Sequence, residues 1–185
     1  MKETLKLGFT LAIFAVVSCV ALALVNSITE PVIAEMKMSG SAAAMKQVFA
    51  DADKFESVKD FEQQVGTVTI KSINLARTAD GSLLGAVVEA EGPTYDKALI
   101  LVGVDTSYAV TGTVILELSD TPGFGQRAKE GGYMDQYNGK TSSDAFVVGE
   151  DIAAISGASI TSKGIAEIVK TAVNEAKTVI EENVQ

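Results

Sequence analysis

An uncharged, mostly apolar run near the N-terminus constrains this 185-residue chain more than any other feature of its sequence. Residues 7–29 contain no charged side chain, and residues 7–25 are mostly apolar. A helix needs about 20 such residues to cross the hydrocarbon core of a bilayer. Inside that core, backbone groups find hydrogen-bond partners only within a helix or a closed barrel. The run therefore predicts one transmembrane helix, with the rest of the chain folded outside the bilayer.

The charges beside this run predict its orientation. Lys2 and Lys6 precede the run, and positively charged residues favour the cytoplasmic side of a membrane. We therefore expect a cytoplasmic N-terminus and a single pass through the cell (inner) membrane. The remaining residues would then form a soluble domain on the extracytoplasmic side.

Two other interpretations of the apolar run stay open. Residues 21–23 resemble the cleavage site of a signal peptide, and residues 16–19, which end in Cys19, loosely resemble a lipoprotein signal. The run continues to Val25 and is longer than the apolar part of a typical cleaved signal, which favours an uncleaved anchor. Cys19 would then be an apolar residue that faces lipid or another helix. All three interpretations export the rest of the chain.

The composition excludes several classes of chemistry. The sequence contains no histidine and one cysteine. A Ser-His-Asp triad, histidine-ligated zinc, a disulfide within the chain and a cysteine-ligated iron–sulfur cluster are therefore excluded. The net charge of −9, without a basic cluster, disfavours nucleic acid as a partner. If the chain transfers electrons, an organic cofactor must hold them; we expect no metal site and no independent catalytic residue.

The remainder of the chain divides into a connector and a folded domain. Residues 1–29 would form the cytoplasmic tip and the transmembrane helix, residues 30–60 a juxtamembrane helical connector, and residues 61–185 an extracytoplasmic domain. In the connector, Pro31 fits the first turn of a helix, and Gly40 would interrupt that helix. Strands are expected at residues 67–75, 83–89, 98–104, 110–118 and 145–148.

Turn and helix signals complete the expected fold. The pair Asp80-Gly81 predicts a hairpin between the first two of these strands. Apolar residues recur at helical spacing near the C-terminus, namely Ile165, Ile168, Val169, Ala172, Val173, Ala176 and Ile180. They predict an amphipathic helix of roughly 20 residues that packs against the sheet. The fold class is therefore α+β: an antiparallel sheet flanked by helices, with one N-terminal transmembrane helix.

The most distinctive chemistry lies in residues 156–162, Ser-Gly-Ala-Ser-Ile-Thr-Ser. This hydroxyl-rich corner stands where an apolar stretch ends and the last helix begins. Small residues let a ligand approach the backbone closely, and the N-terminus of a helix favours an anion such as phosphate. An ordinary helix cap in a tight corner explains the same residues. The segment matches neither a P-loop nor a dinucleotide-binding fingerprint, so it indicates an anion without naming the ligand.

A second loop, residues 120–125, reads Asp-Thr-Pro-Gly-Phe-Gly. Its Thr-Pro-Gly part is typical of a type II turn. The same glycines could seat a ligand or a flat aromatic ring against the backbone. Together, the two loops are interpreted as two walls of one site.

These two motifs resemble the FMN-binding domain shared by the G subunit of the Rnf complex and the C subunit of the sodium-pumping NADH:quinone reductase. The family pattern is roughly E-T-P-G-L-G followed by S/T-G-A-T/S-x-T/S, after an N-terminal membrane anchor. The strands at residues 100–105 and 112–116 are also similar to the family. The resemblance extends over nearly the whole chain, whose compact length favours the Rnf type over the quinone-reductase type.

The resemblance implies covalently bound FMN. In that family the FMN phosphate forms a phosphoester with the hydroxyl at the fourth motif position, which is Ser159 here, where threonine is usual. Thr161 is the nearest substitute. The phosphate would lie by the amides of Thr161, Ser162 and Lys163, and the flavin ring would lie along residues 121–125. The residues expected to hold FMN are Tyr95, Thr121, Pro122, Gly123, Phe124, Gly125, Ser156, Gly157, Ala158, Ser159, Thr161, Ser162 and Lys163.

The resemblance also implies partners and a function. The chain would transfer electrons between other membrane, iron–sulfur or flavin subunits of an ion-translocating ferredoxin/NAD oxidoreductase, and an FMN transferase would attach its flavin. The alternatives are the C-type subunit of the quinone reductase and a stand-alone flavinylated electron carrier. A non-redox anchored module, in which the hydroxyl corner only caps a helix, is a further alternative.

Overall fold

The computed structural model describes residues 2–58 and 62–183. The chain separates into two compact units, residues 1–40 and 41–185. A long helix, α1, spans Lys2–Val48. Its segment Lys2–Glu30 has a mean hydropathy of 2.6 and is long and apolar enough to cross a membrane. The expected N-terminal apolar helix is thus present.

Helix α1 continues where the sequence predicted a new start and an interruption. Its backbone remains helical through Pro31 and Gly40, so both of those expectations were wrong. A proline removes one backbone hydrogen bond of a helix, and a glycine costs about 1 kcal/mol relative to alanine. A helix of 47 residues has enough other hydrogen bonds to continue through both.

A six-stranded antiparallel sheet forms the centre of the second unit. Its strands are β1 Lys54–Ser57, β2 Gln63–Val65, β3 Val68–Arg77, β4 Leu83–Pro93, β5 Lys97–Asp105 and β6 Val110–Leu118. Their order is β1-β3-β4-β5-β6, and β2 pairs with the other end of β3. Strands β1 and β2 were not predicted, because runs of four and three residues are too short to show a periodicity.

The hairpin predicted at Asp80-Gly81 is confirmed, and a second hairpin follows it. Strands β3 and β4 pair across a turn in which Gly81 has a φ of +86° and donates its N–H to the Thr78 carbonyl at 3.0 Å. Strands β5 and β6 pair across a turn that Asp105 organises. Its Oδ1 atom accepts the N–H groups of Ser107 and Ala109 at 2.8 and 3.0 Å. Short polar turns therefore determine the register of the central strands.

Helix α2, Ser159–Asn183, covers one face of this sheet. Its fully buried residues include Ile165, Ile168, Val169, Ala172, Val173, Ala176 and Ile180, which confirms the predicted amphipathic helix. Full burial of a large aliphatic side chain stabilises a fold by about 1.5–3 kcal/mol. This apolar face places the beginning of α2 beside the end of β4.

A glycine permits that close approach. A Cβ atom added to Gly164 of α2 would lie 2.3 Å from the carbonyl oxygen of Pro93 and 2.8 Å from the Cα atom of Thr94. No larger residue fits at this position without moving the backbone. Residues 93–95 therefore lie directly against the first turns of α2.

The opposite face of the sheet is covered by the end of α1. Ala44, Val48 and Phe49 pack there with Val87 and Leu101 in a second apolar cluster. Residues 41–48 of α1 thus belong to the same compact unit as the sheet. With helices on both faces of an antiparallel sheet, the predicted α+β fold class is confirmed.

One predicted strand does not form. Residues 145–148 contain only an isolated bridge between Val148 and Ile152. The Asp151 carboxylate accepts the N–H groups of Phe146 and Val147 at 3.0 and 2.6 Å. These donors are therefore not available to a neighbouring strand, and the segment is a loop. Two 3₁₀ helices, Gly125–Lys129 and Tyr133–Tyr137, precede it.

Candidate functional site

A cavity of about 510 Å³ opens between the loop at residues 121–125 and the start of α2. Pockets that bind small molecules and cofactors measure about 300–1,000 Å³. The residues that line this cavity are Tyr95, Thr121, Phe124, Gly125, Gly157, Ala158, Ser159, Ile160 and Thr161. The fold therefore brings together the two loops that the sequence predicted as walls of one site.

One part of the cavity wall is apolar and exposed. Tyr95, Phe124 and Ile160 are 68%, 56% and 59% exposed. Among the described residues that follow α1, Val147 is the only other large hydrophobic residue that is exposed. Exposed apolar side chains that gather around one concave surface are typical of a binding site. This part of the wall is suited to a flat aromatic ring.

The other part of the wall is the N-terminus of α2. Ser159 is the first residue of the helix, and its side chain is exposed. The N–H of Ser162 is already bonded to the Ala158 carbonyl at 3.0 Å. The N–H groups of residues 159–161 come before this first helical hydrogen bond and have no carbonyl partner within α2. Of the amides expected beside a phosphate, those of Thr161, Ser162 and Lys163, only the Thr161 N–H belongs to this set.

A buried carboxylate lies behind the wall and joins its parts. Asp120 is 1% exposed. Its Oδ1 atom accepts the hydroxyl of Thr94 at 2.6 Å and the N–H of Asp96 at 2.9 Å. Its Oδ2 atom accepts the N–H of Tyr95 at 3.3 Å and the hydroxyl of Thr161. One side chain thus connects the end of β4, the 120–125 loop and the first turn of α2.

These hydrogen bonds decide the ionisation of Asp120. Burial by itself raises the pKa of a carboxyl group, because it disfavours the charged form. The four donors, from Thr161, Thr94, Asp96 and Tyr95, outweigh burial and hold the pKa of Asp120 below its ordinary value. The carboxylate is therefore ionised at neutral pH.

Glycines bring the walls close together. A Cβ atom added to Gly125 would lie 2.6 Å from Asp120 Oδ2 and 2.6 Å from Thr161 Oγ1. Gly157 has a φ of +80°, which L side chains rarely adopt, and a Cβ atom there would contact the Phe124 ring at 3.4 Å. The Phe124 ring therefore lies against the backbone of the hydroxyl corner.

The structure distributes the predicted site residues unevenly. Eight of them line the cavity, namely Tyr95, Thr121, Phe124, Gly125, Gly157, Ala158, Ser159 and Thr161. The other five, Pro122, Gly123, Ser156, Ser162 and Lys163, are not among its lining residues. Ser162 is fully buried, and its hydroxyl accepts the N–H of Ile155 and donates to the Ala158 carbonyl. The Ser162 hydroxyl therefore supports the corner from behind the cavity.

Three residues of the site were not assigned a role from the sequence. Ile160 occupies the variable position of the motif, yet it lines the cavity. Asp120 is the first residue of its loop motif, and Thr94 lies outside both motifs. Five polar side chains of the described residues are buried, and three of them, Thr94, Asp120 and Thr161, form this one network. The only signal for it in the sequence was an acidic residue two positions after the end of a predicted strand, residues 110–118.

Comparisons with known families match both parts of the chain. Residues 95–174 match the FMN-binding domain family, and all nine cavity-lining residues fall within this range. Residues 1–48 match the family described as the RnfG N-terminal region. A crystal structure of Shewanella oneidensis NqrC has a TM-score of 0.49 at 20% identity and covers 70% of this chain and 73% of that chain.

Several characterised proteins are similar to this chain over most of their length. The G subunit of the Na(+)-translocating ferredoxin:NAD(+) oxidoreductase complex of Acetobacterium woodii is 31% identical, over 89% of this chain and 87% of that protein. The G subunit of the proton-translocating complex of Clostridium ljungdahlii is 32% identical, over 91% and 89%. The G subunit of the ion-translocating oxidoreductase complex of Escherichia coli is 30% identical, over 93% and 90%.

Proposed function

Since the chain belongs to the family of G subunits of ion-translocating ferredoxin:NAD(+) oxidoreductase (Rnf) complexes, we propose that it transfers electrons through an FMN esterified to Ser159. The chain is a membrane-anchored, FMN-binding subunit of such a complex. The covalent bond, the residue that forms it and the side of the membrane on which the flavin lies are the parts that we propose.

The cavity is the observation that carries this proposal. FMN has a phosphate at one end and a flat aromatic ring at the other. The wall of the cavity has a matching division, with Ser159 at the N-terminus of α2 and Tyr95, Phe124 and Ile160 as its apolar part. A helix N-terminus stabilises a phosphate through free N–H groups and the helix dipole. The residues present therefore fit the cofactor.

The surroundings of the two candidate hydroxyls favour Ser159 as the attachment point. The Ser159 side chain is exposed at the edge of the cavity, where an attaching enzyme can reach it. Thr161 is 1% exposed, and its hydroxyl donates a hydrogen bond to Asp120. Attachment at Thr161 would require breaking this bond and opening the first turn of α2. Thr161 is thus better suited to hold the wall than to accept the flavin.

The attachment is a phosphoryl transfer to a serine hydroxyl. An Oγ–P bond forms at Ser159, while a phosphoanhydride bond of an activated flavin nucleotide breaks and releases its other phosphate group. The hydroxyl proton leaves to a base of the transferase, since the described residues around Ser159 include no histidine or carboxylate that lines the cavity. The chain therefore needs a separate FMN transferase as a maturation partner.

The residues of this chain bind and orient the cofactor. FMN, when bound, supplies the redox chemistry. The first turn of α2 would hold the phosphate, and Phe124 and Tyr95 would flank the ring. Thr121 and Gly125 line the same wall, and their backbone lies close to the space for the ring. A covalent bond would prevent loss of the flavin from an exported domain.

A denaturing gel tests the attachment. We expect the full chain, expressed with a flavin transferase, to give a fluorescent band under ultraviolet light. Intact mass measurement should show an increase equal to FMN less one water. A control expression without the transferase should give a dark band of unmodified mass. A dark, unmodified band in both samples would refute covalent attachment.

We also propose that the flavin domain lies on the extracytoplasmic side. Lys2 and Lys6 precede the apolar segment of α1, which favours a cytoplasmic N-terminus. On that side the domain would exchange electrons with other membrane, iron–sulfur or flavin subunits of the complex. The proposed division into residues 1–29, 30–60 and 61–185 places the FMN site entirely in the last part.

Labelling of intact cells tests this orientation. In a Cys19→Ser background, Asn174→Cys places a thiol at an exposed position of α2, and Lys2→Cys places one before the apolar segment. We expect a membrane-impermeant maleimide to label the first variant in intact cells and the second only after lysis. The opposite pattern would place the flavin domain in the cytoplasm.

A further inference from the structure

We infer that the buried carboxylate of Asp120 lowers the reduction potential of the flavin. This inference rests on the proposed binding of FMN in the cavity. The established similarity assigns an FMN-binding region, whereas the electrostatic role of one residue behind its wall follows from the geometry of this chain. Asp120 would act through the wall and not by direct contact, as a residue that tunes the cofactor.

The position of Asp120 places its charge close to the ligand space. Asp120 itself does not line the cavity, but Tyr95 and Thr161 do, and both donate hydrogen bonds to its Oδ2 atom. Gly125 also lines the cavity, and a Cβ atom there would lie 2.6 Å from Asp120 Oδ2. A single layer of small groups therefore separates the carboxylate from the cavity.

No cation neutralises this charge among the residues that the structure describes. The ion pairs within residues 2–58 and 62–183 involve other carboxylates, such as those of Glu62, Glu91 and Asp151. The donors to Asp120 are two hydroxyls and two backbone N–H groups, all of them neutral. They stabilise the ionised form and leave its net charge of minus one beside the cavity.

The sign of the effect follows from electrostatics. Reduction adds electrons to the flavin, and a fixed negative charge nearby opposes that addition. Asp120 is 1% exposed, so water and salt screen its field much less than that of a surface carboxylate. The reduced flavin is thus destabilised relative to the oxidised flavin. The hydrogen bonds that lower the pKa of Asp120 are consistent with this role, because they keep the side chain charged at neutral pH.

The test compares midpoint potentials of the flavinylated full chain in detergent micelles, measured by spectroelectrochemical titration. Asp120→Asn keeps the size of the side chain and removes its charge. We expect the reduction equilibrium of this variant to shift at least tenfold towards the reduced flavin. For a two-electron couple, that shift makes the midpoint potential more positive by about 30 mV. Asp96→Asn is the matched control. It removes the charge of an exposed carboxylate from a residue whose backbone N–H bonds Asp120. Its potential should remain near that of the wild type.

A third variant separates charge from packing. Thr94→Val removes one donor to Asp120 and retains the carboxylate. Because the positive end of that donor no longer offsets the charge, we expect a potential below that of the wild type. If the two substitutions acted only by disturbing the packing, Asp120→Asn and Thr94→Val would not be expected to shift the potential in opposite directions. Flavin absorbance and intact mass show in each case whether the cofactor is attached.

Each outcome decides the inference. Equal potentials for Asp120→Asn and wild type, or equal shifts for Asp120→Asn and Asp96→Asn, would overturn it. If Asp120→Asn takes up no flavin, Thr94→Val decides: a fall in potential supports the inference, and a rise or no change overturns it. A wild-type chain without attached FMN would instead refute covalent attachment, so the two failures are distinguishable.

Discussion

Replacement of Ser159 with alanine is expected to abolish covalent flavin and leave the domain folded. The substitution removes the exposed hydroxyl at the edge of the cavity, and the nearby Thr161 hydroxyl is buried and bonded to Asp120. Ser159 is the first residue of α2, one position after the N-cap, and its side chain is exposed, so the loss of its hydroxyl should cost about 0.5 kcal/mol or less. Fluorescence of the denatured protein and its intact mass measure the loss, while circular dichroism checks the fold.

Two variants control for this result. Ser159→Thr restores a hydroxyl at the same position and should restore attachment. Ser156→Ala removes an exposed hydroxyl from the same corner, at a position that does not line the cavity. It should retain the flavin. Full covalent flavin in the Ser159→Ala variant would contradict the assignment of Ser159 and would indicate attachment at Thr161.

Replacement of Asp120 with alanine is expected to destabilise the domain by about 3 kcal/mol at neutral pH, because two buried hydroxyls, those of Thr94 and Thr161, would each be left without an acceptor at a cost of about 1–3 kcal/mol. The hydroxyls of Thr94 and Thr161 and the N–H groups of Tyr95 and Asp96 would all lose their partner. Urea unfolding of the solubilised protein, followed by tyrosine fluorescence, measures the change. The matched control is Asp96→Ala, an exposed position at which about 0.5 kcal/mol or less is expected.

The effect of Asp120→Ala should depend on pH. The folded protein holds the pKa of Asp120 below its ordinary value, so its ionisation stabilises the fold above the unfolded pKa of about 3.9. That contribution is lost as the pH falls through the lower folded pKa. The difference in unfolding free energy between wild type and Asp120→Ala should therefore narrow in acid. An unchanged difference from neutral pH to pH 3 would show that the charge of Asp120 contributes no stability.

Local patterns predicted the larger elements because those elements depend on local interactions. The hairpin at Asp80-Gly81 needs only a turn that accepts a positive φ, and α2 needs only apolar residues at helical spacing. Long-range packing decided the remaining elements. β1 and β2 form only because β3 offers them an edge, and Asp151 binds the N–H groups that a strand at residues 145–148 would have needed.

The candidate site divides in the same way. Both of its loops were identified from short motifs as two walls of one site, and Ser159 was identified from the family that those motifs resemble. The network around Asp120 was not identified. Asp120 lies 26 residues from Thr94 and 41 residues from Thr161 in sequence. A hydrogen bond over that separation depends on how the sheet and α2 pack, which a local pattern does not report.

The sequence by itself determined that this chain has an apolar N-terminal helix, an antiparallel sheet with a C-terminal amphipathic helix, and a hydroxyl corner suited to phosphate. These properties follow from composition and periodicity, which act over a few residues. Only the tertiary structure decided which hydroxyl is exposed and which is buried. Gly164 lets α2 approach Pro93 and Thr94, and that approach brings Thr161 onto Asp120 and leaves Ser159 open at the cavity. Burial and hydrogen bonding over long sequence separations therefore place two chemically similar hydroxyls, two residues apart, in different surroundings.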